Sequence, residues 1–445
     1  MIGAGIAGLL CARVLSETFT RVTIIERDTL NTRPQPRRGV PQGQHAHALQ
    51  ARGLQAFEEL LPGIQGALTA AGAPLADFCR AGRLQLPYGS PPPMDSGIHI
   101  RMVSRPLLET IVRAEILRIA HVRIRDGCTV TGLVLSGDRR RATGVRLLQR
   151  SPAGQKAPTE VLPADLVADA AGRSSHLPRW FTDLGLPQVA ETTVDAHMGY
   201  ASRVYRAAPA NWLALFEIPQ APSVTRGAFA LRTEDGRLLV SLQGAAGDHP
   251  PGADPGFETF AKSLASGLYG IMRDSEPVTP VVRYARTTNL RRHYHRLPSW
   301  PGGLIVLGDA VCAFNPVYAQ GMTVAALEVL ELRRLLTGRG ADPLDEVAVK
   351  FQRRLARITA WPWAIATLPD RAWQNKHPPL AFRLGLWYLD QWYKCVPTDR
   401  RMYYDIARIT NMTSSPSLLF HPRHIAHIIA MSVLRQRRRS TSPQE

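Results

Sequence analysis

The residues best able to do chemistry in this sequence are a glycine run and two carboxylates. Gly3-Ala4-Gly5-Ile6-Ala7-Gly8 has GxGxxG spacing, and Glu26 stands 23 residues after Gly3. In such a loop the first glycine permits a tight turn, the second lets backbone approach a pyrophosphate, and the third lets a helix pack on a strand. The helix N-terminus then offers N–H groups and positive potential to phosphates, and the acidic residue accepts hydrogen bonds from ribose hydroxyls. A second carboxylate, Asp309, follows the apolar run 304–307 and precedes a helix that opens at Gly321 and Met322, whose N–H groups can face an anion. Between them, residues 165–175 form a third motif that ends in Gly172-Arg173-Ser174-Ser175. His45 and His47 add polar candidates, whose plainer role is to cap a loop and bond to backbone. In the run 197–206, alternation puts Tyr200, Ser202 and Val204 on one face and Arg203 and Tyr205 on the other. No Ser-His-Asp set or metal-ligand cluster is required.

The elements that must position these groups are readable from periodicity. A turn, a helix and the buried strand 22–25 open the chain. A Pro- and Arg-rich loop spans 33–44, and 45–61 has helical periodicity. The excursion 84–98 is broken by Pro87 and by Pro91 to Pro93. Ser104-Arg105-Pro106 starts a helix, with Ser104 as cap and proline in the first turn. Strands are expected near 121–125, 128–134 and 143–148, with an apolar strand in 162–175. From 190 to 285, short β runs separated by turns predict an antiparallel sheet. Helices are expected at 257–268 and 323–336, and the remainder to 438 is mostly helical. One feature is abnormal: the glycine motif should follow a central strand of five or six apolar residues, yet only Met1 and Ile2 precede Gly3. The reading favours a start placed too late, with most of that strand missing.

At 445 residues, two or three domains are expected. The formal charge is +18, but only five of the 54 basic residues are lysine, so the bias reads as compositional and no nucleic-acid partner is expected. Five scattered cysteines without a CxxC argue against a disulfide framework or structural zinc and for a reducing cytoplasm. No apolar run approaches the roughly 20 residues needed to span a bilayer.

Together the three motifs resemble the flavoprotein monooxygenases of the aromatic-hydroxylase superfamily. Residues 37–49 and 308–318 carry a nearer resemblance to natural-product epoxidases and hydroxylases of the polyether and squalene type. The resemblance implies an α/β fold: a Rossmann-like FAD-binding domain (1–62, 101–185 and 291–340), a substrate-side excursion (63–100), an inserted antiparallel-sheet substrate domain (186–290) and a helical C-terminal region (341–445). It implies that Gly3, Ala4, Gly5, Ile6, Ala7, Gly8, Glu26 and Arg27 hold the ADP half of FAD. Arg38, twelve residues past Glu26, and Arg105 would contact the cofactor. Val130 would meet adenine, Asp309 the ribitol and pyrophosphate, and Gly321 and Met322 the flavin's pyrimidine edge, with His45 near the ring. His47, Tyr200, Arg203, Phe314 and Pro316 are the substrate-pocket candidates. Two departures stand out: Ala319 replaces a usual glycine, and Cys312 replaces a frequent histidine.

The implied activity is insertion of one atom of O2, through a flavin C4a-hydroperoxide, into a small apolar polyketide- or terpenoid-like substrate. NAD(P)H or a partner flavin reductase would supply electrons. The alternatives are a reductase of prenyl double bonds and a flavin-poor remnant. Trp361-Pro362-Trp363-Ala364-Ile365 resembles the WxWxIP of flavin halogenases but lacks the final proline and follows the Asp309 motif, so it reads as helix packing, with Asp370 and Arg371 a local pair. The C-terminal stretch sets Ile425, Ile428, Ile429, Ser432 and Val433 at helical spacing before Arg435, Arg437, Arg438 and Arg439. It reads as a helix docked on the FAD domain in preference to a membrane-surface segment.

Overall fold

The structure, a computed structural model, describes residues 1–150, 159–206, 208, 210–340, 343–374 and 379–440, with backbone alone over 434–440. β-Branched residues fill Val22–Ile25, which pairs in parallel with Val122–Arg125. Val167–Asp169 pairs in parallel with Leu304–Val306. Val22–Ile25, Val167–Asp169 and Leu304–Val306 are mostly apolar, as suits a parallel sheet covered on both faces, whereas Val122–Arg125 alternates apolar residues with Arg123 and Arg125. Between the two pairs, Ile2 bridges Ile25 and Asp169. The Ile2 N–H donates to the Ala168 carbonyl at 2.8 Å, and Gly3 N–H to that of Ile25 at 2.8 Å. Two residues thus occupy the central slot expected to hold a full strand, and they join the flanking strands at their carboxyl ends.

The glycine loop starts at this junction. Gly3 has φ +94, and a Cβ there would lie 2.6 Å from the Ala170 carbonyl oxygen. A Cβ on Gly8 would lie 2.0 Å from the Gly3 carbonyl oxygen, so both positions exclude a side chain. The loop leads into helix Ile6–Leu15, which packs beside the long helix Gly321–Thr337.

Residues 162–175 do not form one strand. Thr159–Pro163 joins an antiparallel sheet with Ala142–Gln149 and Cys128–Leu135, and Val167–Asp169 begins anew in the parallel sheet. Pro163 lacks an N–H and suits a strand end. The helix expected over 45–61 covers only Ala51–Leu60, because Ala48–Leu49 pairs instead with Arg101–Met102.

The substrate-side sheet runs in the order Glu276–Pro277, Gly199–Arg206, Arg237–Gly244, Arg226–Arg232, Ala214–Glu217, Gly82–Gln85. Val282–Tyr284 also pairs with Gly199–Arg206. The last strand comes from the excursion and lies parallel to Ala214–Glu217. Helices Leu344–Ile358, Ala360–Gln374, Leu380–Cys395, Arg400–Thr410 and Pro422–Ser440 complete the chain. The last helix does not dock on the parallel-sheet core as expected. Its Ile428 is buried with Trp392, Met402, Tyr403 and Phe78, in a cluster built by the helical region and the excursion.

Candidate functional site

One cavity of about 860 Å³ runs from the glycine loop to the C-terminal helices. That volume lies toward the upper end of the ~300–1,000 Å³ usual for small-molecule sites. Its two ends differ in chemistry.

The first end is polar and built from loops at the carboxyl ends of the parallel strands. Gly3, Gly5, Ile6, Ala7, Glu26, Arg27, Arg105, Val130, Asp309, Gly321 and Met322 all line the cavity. Ala4 and Gly8 lie behind the wall. Glu26 Oε2 accepts from the Ala4 N–H at 2.8 Å, which fixes the loop. Helix Ile6–Leu15 has no side-chain cap, and a Cβ added at Gly5 would meet open space. This is a cradle open to a phosphate-bearing ligand. Asp309 sits in the turn Gly308–Ala310, and its carboxylate takes no hydrogen bond from the described residues. Burial raises its pKa against the pull of Arg173, Arg105 and Arg292. An unengaged carboxylate facing a cavity suits a ligand rich in hydroxyls. Helix Gly321–Thr337 also lacks a side-chain cap, and Gln320 before it is buried with Oε1 unpartnered. The residues present fit FAD.

Arg38 is a correction. It is exposed and absent from the cavity wall, whereas Arg37 lines it. Arg37 Nε donates to Glu109 Oε1 at 2.6 Å, and Nη1 lies 3.0 Å from Asp28 Oδ2 and 3.2 Å from Glu26 Oε2. Three carboxylates draw this arginine inward, and no periodicity in the loop distinguishes it from its neighbour. Arg105 Nε donates to Glu109 Oε2 at 3.2 Å, so one glutamate orients both arginines.

The histidines divide. His47 lines the cavity, and its Nδ1 lies 2.8 Å from the His45 carbonyl. A carbonyl can only accept, so Nδ1 bears the proton and Nε2 is left as an acceptor. Burial, then the Arg105 charge, lowers the His47 pKa to about 3, and the ring stays neutral. His45 lies off the wall. Its Nδ1 meets Ser202 Oγ at 2.6 Å, and Ser202 meets Ser241 Oγ at 2.6 Å. Ser241 in turn accepts from the Ala46 N–H at 2.8 Å, which pins the histidine loop to the sheet. Tyr200 and Arg203 are also off the wall. The Tyr200 hydroxyl donates to Asn315 Oδ1 at 3.0 Å, and Arg203 pairs with Asp254 on the opposite face. Phe314 and Pro316 do line the cavity.

The second end is apolar, with Phe216, Phe229, Leu231, Trp363, Leu368 and Ile409 among its walls. The Phe216 and Phe229 rings meet edge-on, with centroids 5.7 Å apart. Trp361, Trp363 and Ile365 also line it, so this segment does more than pack a helix.

Asp370 is a residue the sequence reading misplaced. It is buried and does not pair with Arg371; it accepts from Asn289 Nδ2 at 2.6 Å, Asn315 Nδ2 at 3.0 Å and the Tyr318 hydroxyl at 2.7 Å. These bonds tie the 315–318 turn, on the cavity wall, to helix Ala360–Gln374. The turn ends at Ala319 with φ +52, so the alanine keeps the left-handed backbone that glycine would take more easily. Glu328, also missed, accepts from the Gly308 N–H at 2.6 Å and holds the Asp309 turn from behind. A polar residue at an otherwise apolar helix position was the available signal for both.

No family model matches the chain. It is 32% identical over 456 residues to Protein Rv3254 of Mycobacterium tuberculosis, with 99% of this chain and 95% of that protein covered. Among solved structures it is similar to the flavin-dependent brominase Bmp2, with TM-score 0.67, 15% identity and 98% of each chain covered. The myxobacterial chondrochloren halogenase CndH aligns with TM-score 0.62 and 16% identity, over 94% of this chain and 98% of that one. PqsL of Pseudomonas aeruginosa, described as a probable FAD-dependent monooxygenase, aligns with TM-score 0.61 and 16% identity, over 87% and 98%. The fold is that of FAD-dependent halogenases and monooxygenases.

Proposed function

The chain belongs to the family of the mycobacterial Protein Rv3254. We propose that it is an FAD-dependent monooxygenase of an apolar, polyketide- or terpenoid-like molecule. One observation carries this reading: the polar loops suited to FAD and the apolar pocket suited to a substrate are walls of one continuous cavity. Gly5, Glu26, Arg37, Arg105 and Asp309 would hold the cofactor's ribose, phosphate and ribitol groups. When bound, FAD supplies the activation of O2 and its transfer to carbon.

The protein's share is positional and electrostatic. The uncapped start of helix Gly321–Thr337 offers N–H groups to negative charge on a bound ring system. Phe216, Phe229 and Trp363 exclude water from the reacting end. His47 Nε2 accepts a hydrogen bond from whatever hydroxyl or N–H lies beside it, and stays neutral across the physiological range. The electron source is NAD(P)H or a partner flavin reductase.

Halogenation is the second reading, favoured by the segment Trp361–Ile365 lying on the cavity wall. Turnover of candidate alkenes and arenes under isotopically labelled O2, with a flavin reductase and bromide present, separates the two. A product carrying one labelled oxygen supports monooxygenation, whereas a brominated product supports the second reading. Neither product from any apolar candidate, with FAD bound, would sink both.

A further inference from the structure

Helix Leu380–Cys395 buries Gln391, Trp392 and Cys395 and turns Leu380, Leu384 and Trp387 outward, at 68%, 57% and 47% exposure. Steps of four and three residues place these on one helix face. Between Leu384 and Trp387, Gly385 and Leu386 line the cavity. Trp361 and Phe420 are half exposed and also line it, so they stand at its mouth. Ile425, Ile429 and Val433 are exposed on the neighbouring helix Pro422–Ser440, which Ser432 Oγ links to Gln391 Oε1 at 3.4 Å. An apolar rim of this extent around an opening marks an interaction surface.

The surplus charge on these helices is basic. Beyond residue 360 the acidic residues are Asp370, Asp390, Asp399, Asp405 and Glu445. The first is buried under Asn289, Asn315 and Tyr318. Asp390 binds Lys394, Asp399 caps helix Arg400–Thr410, and Asp405 is buried with His424 and Arg423. Glu445 lies outside the described residues. Arg371 stands exposed on the cavity wall, Arg383 is exposed one turn from Leu380 and Trp387, and Arg400 and Arg401 are exposed nearby in sequence.

We propose that this rim docks on an anionic phospholipid surface, so that the cavity mouth opens against the bilayer. Apolar side chains enter the headgroup boundary while arginines meet the lipid phosphates. Among the described residues no helix is long and apolar enough to cross a membrane, so the contact is one of lying on the surface. That the substrate enters by this route rests on the function proposed above; the docking itself does not.

Co-sedimentation of the full FAD-loaded chain with vesicles tests it, using phosphatidylcholine alone and phosphatidylcholine mixed with phosphatidylglycerol. The expected result is pelleting with the anionic vesicles only, weakened by salt. Arg383→Glu should reduce it about fivefold or more, and Leu384→Ser with Trp387→Ser should abolish it, each with an unchanged circular dichroism spectrum. If the double variant misfolds, Arg383→Glu at its exposed position decides alone. Equal pelleting on both vesicle types, undiminished pelleting of Arg383→Glu, or a stable dimer that Trp387→Ser disrupts would overturn the proposal. The last outcome would assign the rim to a second copy of the chain.

Discussion

Replacing Glu328 with glutamine should remove part of the protein's pH dependence of stability. Glu328 is fully buried in helix Gly321–Thr337; Oε2 accepts from the Gly308 N–H, and Oε1 has no partner. Burial, with the Asp309 charge adding, pushes its pKa from the ordinary 4.5 up to about 8, against the pull of the Gly308 hydrogen bond. The folded chain therefore keeps a proton that the unfolded chain has released. The contribution is fully present below the ordinary carboxyl pKa and is lost as pH rises toward and through the folded value. Linkage puts the loss between about pH 6 and pH 8 at about 2 kcal/mol. Glutamine keeps an acceptor for Gly308 and cannot titrate. Urea unfolding of wild type and Glu328→Gln at both pH values gives the answer, because groups shared by the two proteins cancel in the comparison. The wild type should lose about 2 kcal/mol more than the variant on going to the higher pH. Parallel losses would refute the claim that Glu328 is neutral behind the Asp309 turn.

Three further outcomes are expected. Arg37→Ala should weaken FAD retention at least about tenfold, through a lost charge-assisted contact and the loss of one cationic partner from each of Glu26, Asp28 and Glu109, while Arg38→Ala should leave it unchanged; FAD titration by fluorescence quenching ranks the two, and the reverse order would return the role to Arg38. Asp370→Ala removes the acceptor shared by Asn289, Asn315 and Tyr318, leaving the first two only the Val194 carbonyl and the Met198 sulfur, so it should cost about 2–5 kcal/mol in denaturant unfolding; a loss within experimental error would show that the turn is held by other contacts. Ala319→Gly relieves a left-handed residue worth about 1–2 kcal/mol, offset by about 0.4–1 kcal/mol of added freedom in the unfolded chain; a rise in thermal midpoint is expected, and a fall would mean that the alanine methyl packs usefully.

Much of this was legible because strands, glycine turns and caps are local. Gly3, Gly5 and Gly8 are dictated by backbone approach within one turn, and Ser104 caps its helix as its spacing from Leu107 requires. Alternation in Gly199–Arg206 correctly set Tyr200 with Ser202 and apart from Arg203. What local pattern cannot carry is which side chain a distant partner captures. Arg37 is chosen over Arg38 by Glu109, 72 residues away, and Asp370 is claimed by Asn315, 55 residues back, instead of by its neighbour. The strand Gly82–Gln85 was hidden for the same reason: its partner Ala214–Glu217 lies far along the chain, and Pro87 and the prolines after it mask a short edge strand.

The central claim is that the cavity holds FAD. The direct test is the visible absorption spectrum of the purified chain, followed by release and quantification of the bound chromophore. The account predicts oxidised-flavin bands and close to one FAD per chain, with the bands much reduced in Asp309→Ala. A folded, colourless protein that stays colourless after incubation with excess FAD would contradict it.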